Sequence, residues 1–230
     1  MKPGAYLASI QVGKPKSLGD PAAANPVDQP WTTGFFKSPV PGPLWLGSTN
    51  LEGDGQADLR VHGGPDKAVL AYSAGHYPRW NKELDRGDLP SGAFGENFTL
   101  EGLAEANVCV GDVFDVGEAR VQVSQPRGPC WKLARRWRLA DLPARVLKSG
   151  RTGWYLRVLR EGEVEAGLPM TLIERPFPEW TIARVNEVAY RTRDPGDAAR
   201  LADCASLAAG WRQLFADMAA GRGREPGGPE

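Results

Sequence analysis

Punctuation constrains this chain more than anything else in it. Twenty-eight glycines and twenty prolines occur among 230 residues, most of them spread through the first 180 positions rather than gathered in a linker. Glycine and proline end or kink regular elements, so the chain is cut into short pieces, which favours an irregular β architecture over long helices. The hydrophobic share of 41% is enough for a sizeable core. Basic and acidic side chains balance at 28 each, which excludes a strongly basic nucleic-acid binder and an acidic tail protein. No apolar run approaches the roughly 18 residues a membrane span needs. Cys109, Cys130 and Cys204 are too few, and odd in number, for a disulfide framework. The N-terminus alternates rather than presenting a signal-peptide core, so a cytoplasmic protein with reduced thiols is expected. Zinc is not expected, because there is no C-x-x-C pair and His62 and His76 stand far apart.

Periodicity gives the element order. Tyr6, Ala8, Ile10 and Val12 read as a first strand, and Lys14 to Pro30 as loop. Gly34 to Leu46 reads as a strand interrupted by Pro39, Pro41 and Pro43. Ala68 to Tyr72 is a short apolar run, the pattern of a strand buried on both faces. His76 to Leu84 predicts a helix with Pro78 in its first turn. Phe94 to Leu100, Val108 to Val116, Ala119 to Gln125 and Met170 to Glu174 predict four more strands, the third with Ala119, Val121 and Val123 on one face. Asp141, Pro143 and Gly150 bracket a helix. After residue 178 the texture changes, and Thr181, Asp194 and Ser206 predict the caps of three helices. The expected organisation is therefore a β-rich domain over 1–178, a three-helix unit over 179–221 and a flexible polar tail over 222–230. The apolar face of the terminal helices demands a partner: the barrel, a twin subunit in a homodimer, or another protein.

Three segments carry chemistry-bearing residues. Arg60 and His62 would share one strand face, Gly63-Gly64 permits positive φ and an anion-binding nest, and Lys67 adds a cation. A hairpin turn with solvated charges explains the same residues. In Ser124-Gln125-Pro126-Arg127-Gly128-Pro129-Cys130-Trp131-Lys132, two prolines and a glycine stiffen the loop. Arg127 and Lys132 favour a thiolate, which is both a soft-metal ligand and a nucleophile. A structural cysteine packed on Trp131 is the competing reading, and Trp131 could instead wall a flat ligand. Asn97, in Phe94-Gly95-Glu96-Asn97, can read a heterocycle edge or simply serve a turn. Cys109 and Cys204 read as small packing residues.

In combination these segments resemble the MOSC family. The match rests on Leu51-Glu52-Gly53-Asp54, Val61-His62-Gly63-Gly64-Pro65-Asp66-Lys67-Ala68-Val69, Phe94-Gly95-Glu96-Asn97, Val110-Gly111-Asp112 and Ser124 to Cys130, in order and spacing. The terminal helices are similar to those of its YiiM-type branch. The resemblance implies an α+β fold, mainly β: an irregular closed β-barrel with inserted helices, followed by the three-helix unit. It implies a pocket for the molybdenum cofactor, a pterin dithiolene with a terminal phosphate, and Cys130 as the protein ligand to molybdenum. Lys37, Arg60, His62, Gly63, Gly64, Lys67, Asn97 and Lys132 are implied in cofactor binding, with Arg127 beside the cysteine. The implied activity is reduction of N-hydroxylated compounds such as 6-N-hydroxylaminopurine to amines, a detoxification, with electrons from a separate reductase. A carrier that delivers cofactor or passes sulfur without turnover, and a metal-free thiol enzyme, are the alternatives. The aminotransferase-like half of true sulfurases is missing, so pyridoxal phosphate is not expected. The chain departs from the family pattern at Gly128 and in the Pro-rich stretch after Lys37.

Overall fold

Short elements dominate, as the glycine and proline spacing requires. The computed structural model describes residues 4–59, 62–87 and 89–222. Its strands are β1 (Tyr6–Val12), β2 (Lys16–Leu18), β3 (Trp31–Thr33), β4 (Ser38–Pro39), β5 (Leu44–Leu46), β6 (Val69–Ser73), β7 (Phe98–Glu101), β8 (Val113–Val116), β9 (Ala119–Pro126), β10 (Trp154–Arg160), β11 (Gly162–Val164) and β12 (Thr171–Glu174). Its α-helices are α1 (Tyr77–Glu83), α2 (Trp131–Trp137), α3 (Leu142–Ser149), α4 (Ile182–Glu187), α5 (Pro195–Ala202) and α6 (Ala209–Ala219). Eight strands form one sheet in the order β12-β8-β9-β10-β6-β7-β1-β4. Every pairing in it is antiparallel except β6 with β7. The sheet curls until β1 meets the stretch that leads into β12. Leu7 N–H donates to Leu168 O at 2.9 Å, Gly167 N–H to Leu7 O at 2.7 Å and Met170 N–H to Ala5 O at 2.9 Å. These bonds join β1 to the stretch leading into β12.

Burial explains the register. All five residues of β6 are buried, as its continuous apolar run requires. In β9, Ala119, Val121 and Val123 are fully buried while Arg120 and Gln122 stay half-exposed. Ser124 breaks the alternation: it too is buried, with its hydroxyl 2.6 Å from Asp66 O and 3.1 Å from Tyr155 O. The main core runs from the inner face of the sheet (Leu7, Val69, Val121, Leu156) into the terminal helices (Val185, Leu201, Phe215). The apolar faces of α4 to α6 therefore find their partner on the barrel itself. Each fully buried Val, Leu or Phe contributes about 1.5–3 kcal/mol, before chain entropy is set against it. A smaller core of Tyr72, Tyr77, Trp80, Phe94, Leu133, Leu142 and Val146 ties α1, α2 and α3 together.

Several elements differ from expectation. Strand pairing begins at Phe98 rather than Phe94, because the buried Glu96 carboxylate collects the N–H groups of Gly92 (2.7 Å) and Phe94 (3.1 Å) and the Tyr77 hydroxyl, which folds the segment into a turn. It begins at Val113 rather than Val108, because Asp112 accepts from Cys109 N–H at 2.8 Å and from Arg175 at 2.7 and 2.8 Å. Thr181 and Asp194 cap α4 and α5 as anticipated. The third cap is Ala208, not Ser206, because Ala208 N–H docks on Ser124 O of β9 at 2.9 Å. The 14–30 stretch holds the short β2, and β3, α2, β10 and β11 lie outside the elements that periodicity predicts. Residues 223–230 of the expected tail lie outside the described residues. Among the described residues, no helix is long and apolar enough to cross a membrane.

Candidate functional site

At its C-terminal end β9 runs into the Pro126–Pro129 loop and then α2, and this corner opens on a cavity. Cys130 lines it, is 4% exposed and caps α2, its Sγ accepting from Lys132 N–H at 3.4 Å. Arg127 is 3% exposed. Its backbone N–H donates to Gly153 O at 3.1 Å and its Nη2 to Phe94 O at 3.0 Å, which fixes the guanidinium. Arg127 Nη1 has no partner. Lys132, in the first turn of α2, is also buried. Lys67 closes the 3₁₀ turn Pro65–Lys67, its ammonium 5.7 Å from the Tyr155 ring centroid. His62 lines the cavity, with its backbone N–H donating to Asp58 O at 2.9 Å. Burial, then the charges of Lys132, Lys67 and Arg127, push its imidazole down to about 4, so it is neutral at pH 7 and not a cation.

The opposite wall is differently wired. The fully buried Asp54 carboxylate ion-pairs with Lys37 and accepts Gly13 N–H at 2.9 Å and Asn97 Nδ2 at 2.9 Å. Burial pushes the Lys37 ammonium down, and Asp54 opposes that shift. Asn97 Nδ2 also reaches Gln11 O at 3.2 Å, while its Oδ1 accepts Leu70 N–H at 3.2 Å. Asp54 stands behind the wall. Among the described lining residues none is acidic.

The structure thus brings Lys37, His62, Gly63, Lys67, Asn97, Arg127, Cys130 and Lys132 to one cavity. Gly64 lines the adjoining groove instead, and Arg60 lies outside the described residues. Gly63 and Gly64 both sit at positive φ, 85° and 84°, but Gly64 has ψ 172°, an extended glycine-only conformation and not the αR–αL alternation of the expected nest. Trp131 turns away from the cavity and packs on Trp31, ring centroids 5.6 Å apart, under Arg135. The Asn97 amide, expected to orient a ligand, is spent on protein partners and positions the wall. His62 corrects the picture of a third cation. Tyr155, Gln56 and Phe35 are lining residues that motif reading missed. The alternation Trp154-Tyr155-Leu156-Arg157 carried a signal for the first. Cys109 and Cys204 are buried packing residues, and burial pushes both thiols up.

The fit to a molybdenum–pterin cofactor can be judged from these groups. Arg127 Nη1 is an orphaned buried donor, Lys67 and Lys132 add charge, and no acidic residue lines the cavity to repel a phosphate. Cys130 offers one soft sulfur. Among the described residues no cluster of three or more His, Cys, Asp or Glu could hold a metal ion, so a metal here arrives with ligands of its own, as a dithiolene cofactor provides. The residues fit the group.

Comparison with known proteins agrees with this geometry. Residues 58–171 match the MOSC domain model, and residues 180–221 match the YiiM-like, 3-alpha helix domain model. The chain is 42% identical to the uncharacterized protein YflK of Bacillus subtilis (strain 168), over 91% of this chain and 92% of that protein. It superposes on the crystal structure of YiiM from Geobacillus stearothermophilus with a TM-score of 0.78 at 38% identity, covering 94% of this chain and 99% of that one. It is 36% identical to a protein named Reductase from Gibberella moniliformis (strain M3125 / FGSC 7600), over 82% of this chain but only 33% of that protein. Barrel, three-helix unit and relatives together make the chain a member of the YiiM-type branch of the MOSC family, whose domains are associated with the molybdenum cofactor.

Proposed function

We propose that this protein is a molybdenum-cofactor-dependent oxidoreductase that reduces N-hydroxylated compounds, such as 6-N-hydroxylaminopurine, to amines. The observation that carries the reading is the convergence of Cys130 with the orphaned Arg127 Nη1, Lys67 and Lys132 on one cavity with no acidic lining among the described residues. When bound, the cofactor supplies a metal that accepts oxygen and cycles two electrons. The net conversion is R–NH–OH plus two electrons and two protons to R–NH₂ plus water. Cys130 Sγ would hold the metal. Lys67 and Lys132 would hold the anionic end of the cofactor. Arg127 Nη1, already positioned by Phe94 O, donates to the departing hydroxyl oxygen. His62, neutral at pH 7, would take up a proton when an anion enters and donate it to the departing oxygen as water forms. Electrons come from a separate reductase, because the sequence carries no nicotinamide or flavin motif. The fungal relative named Reductase supports the reaction class.

The test is elemental analysis and turnover of protein made in a host that produces the cofactor, comparing the native chain with Cys130→Ser. Molybdenum retained by the native protein, and N-hydroxyl reduction with a chemical reductant lost in the variant, are expected. Undiminished molybdenum and turnover in Cys130→Ser would overturn the proposal. Cofactor exchange with an apo-enzyme but no turnover would make the protein a carrier.

A further inference from the structure

Among the described residues three buried side-chain polar atoms lack a partner: Arg127 Nη1, Arg151 Nη1 and Asn186 Oδ1. The first belongs to the site above. The residues of the other two line a second, open cavity bounded by α1, the end of α3 and α4. Both are more than nine-tenths buried, Arg151 at 8% and Asn186 at 7% exposure. The guanidinium of Arg151 is held 3.7 Å from the Trp80 ring centroid, with Nη2 on Glu83 at 2.6 Å, which leaves Nη1 spare. Asn186 Nδ2 donates to Thr152 Oγ1 at 2.9 Å. The Thr152 hydroxyl gives its own proton to Gly153 O at 3.0 Å, so it must accept from Asn186. That fixes the unpartnered atom of Asn186 as the oxygen, an acceptor.

The charges around the cavity have a sign. Glu105 is taken by His76 at 2.7 Å and by Gly153 N–H at 2.7 Å, and Glu187 by Arg184 at 2.8 Å. Arg191 donates to a neutral carbonyl, Lys148 O, at 2.6 Å, and the exposed Arg79 has no ion pair among the described residues. Arg79 and Arg191, with no carboxylate partner among the described residues, together with the spare Nη1 of Arg151, suit a phosphate. The spare acceptor calls for a hydroxyl, and the cavity is larger than a phosphate fills. We propose that this cavity is a second binding site, for a phosphate monoester with a hydroxylated body: its phosphate on Arg151, Arg79 and Arg191, a hydroxyl donating to Asn186 Oδ1. Sugar phosphates and nucleoside monophosphates share that chemistry. The proposal does not depend on the reading of the first cavity.

The experiment titrates the full chain with inorganic phosphate, ribose 5-phosphate and AMP, following heat and the side-chain amide resonance of Asn186. Ribose 5-phosphate and AMP are expected to shift that resonance and to bind about tenfold tighter than inorganic phosphate. Asn186→Ala should remove the preference, and Arg191→Gln, at an exposed position, should weaken both esters several-fold. Binding should persist in a Lys67→Gln, Lys132→Gln variant, which cripples only the first cavity. No preference over inorganic phosphate, a silent Asn186 resonance, or binding lost in the lysine variant and kept in Arg191→Gln would each overturn the proposal.

Discussion

The two walls of the first cavity carry similar side chains and treat them in opposite ways. On the Asp54 wall, every charge is spent at home: Lys37, Gly13 and Asn97 converge on one carboxylate, and Asn97 has no donor left. On the Arg127 wall the cations sit together, one guanidinium nitrogen has no partner, and burial, reinforced by the shared positive potential, keeps the proton off His62. Burial alone therefore does not mark a ligand group. What distinguishes the second wall is buried polar capacity that the fold leaves unused, a cost that a bound anion recovers.

The contrast can be broken by substitution. The largest effect is expected at Cys130: serine in its place should lower retained molybdenum and turnover by more than about a hundredfold while the melting temperature hardly moves, since a buried thiol and hydroxyl differ little in size. Asp54→Ala should act in the other direction. Leaving the Lys37 ammonium buried and unpaired should cost about 3–5 kcal/mol of stability in urea titration. If Asp54→Ala instead spared folding and abolished cofactor retention, the division between the walls would be wrong. Arg127→Met should weaken pyrophosphate binding about tenfold by calorimetry and move stability by less than about 1 kcal/mol, because relief of the unsatisfied Nη1 donor offsets loss of the Nη2 bond to Phe94 O.

The smallest effect sharpens the comparison by pH. His62 titrates at about 4 in the folded protein against an ordinary value of 6.5. Between those values the unfolded chain takes up a proton that the folded chain refuses, so stability falls as pH drops from 6.5 toward 4 and is flat above that window. His62→Gln should flatten this part of the urea midpoint against pH. Anion binding should strengthen over the same interval, with uptake of one proton; a midpoint slope identical in the two proteins would remove His62 from the cationic cluster.

Much of this was legible where the signal is local. Thr181 and Asp194 announce α4 and α5 because a capping oxygen and the N–H it binds are three residues apart. The apolar run at Ala68–Tyr72 announces a strand buried on both faces. The motif around Cys130 announces a stiff corner. The start of α6 was not legible, since Ala208 is set by docking on Ser124, and neither were the turns made by Glu96 and Asp112, whose carboxylates overrule strand-like neighbours. The same limit applies to the site. Spacing can gather Lys37, Asn97 and Lys132 as candidates, but only three-dimensional pairing tells which are already occupied by protein.

The seam of the barrel has a consequence for how the protein is made. Residues 5–7 bond to residues 167–170, so the first strand synthesised waits for the last part of the barrel before its edge is covered. Throughout translation that edge stays open to pairing with other chains, and folding is delayed by a long loop closure. The nascent chain, rather than the finished molecule, is the state most exposed to aggregation, and a chaperone that shields the N-terminal strand until the ribosome passes residue 170 would guard its weakest moment.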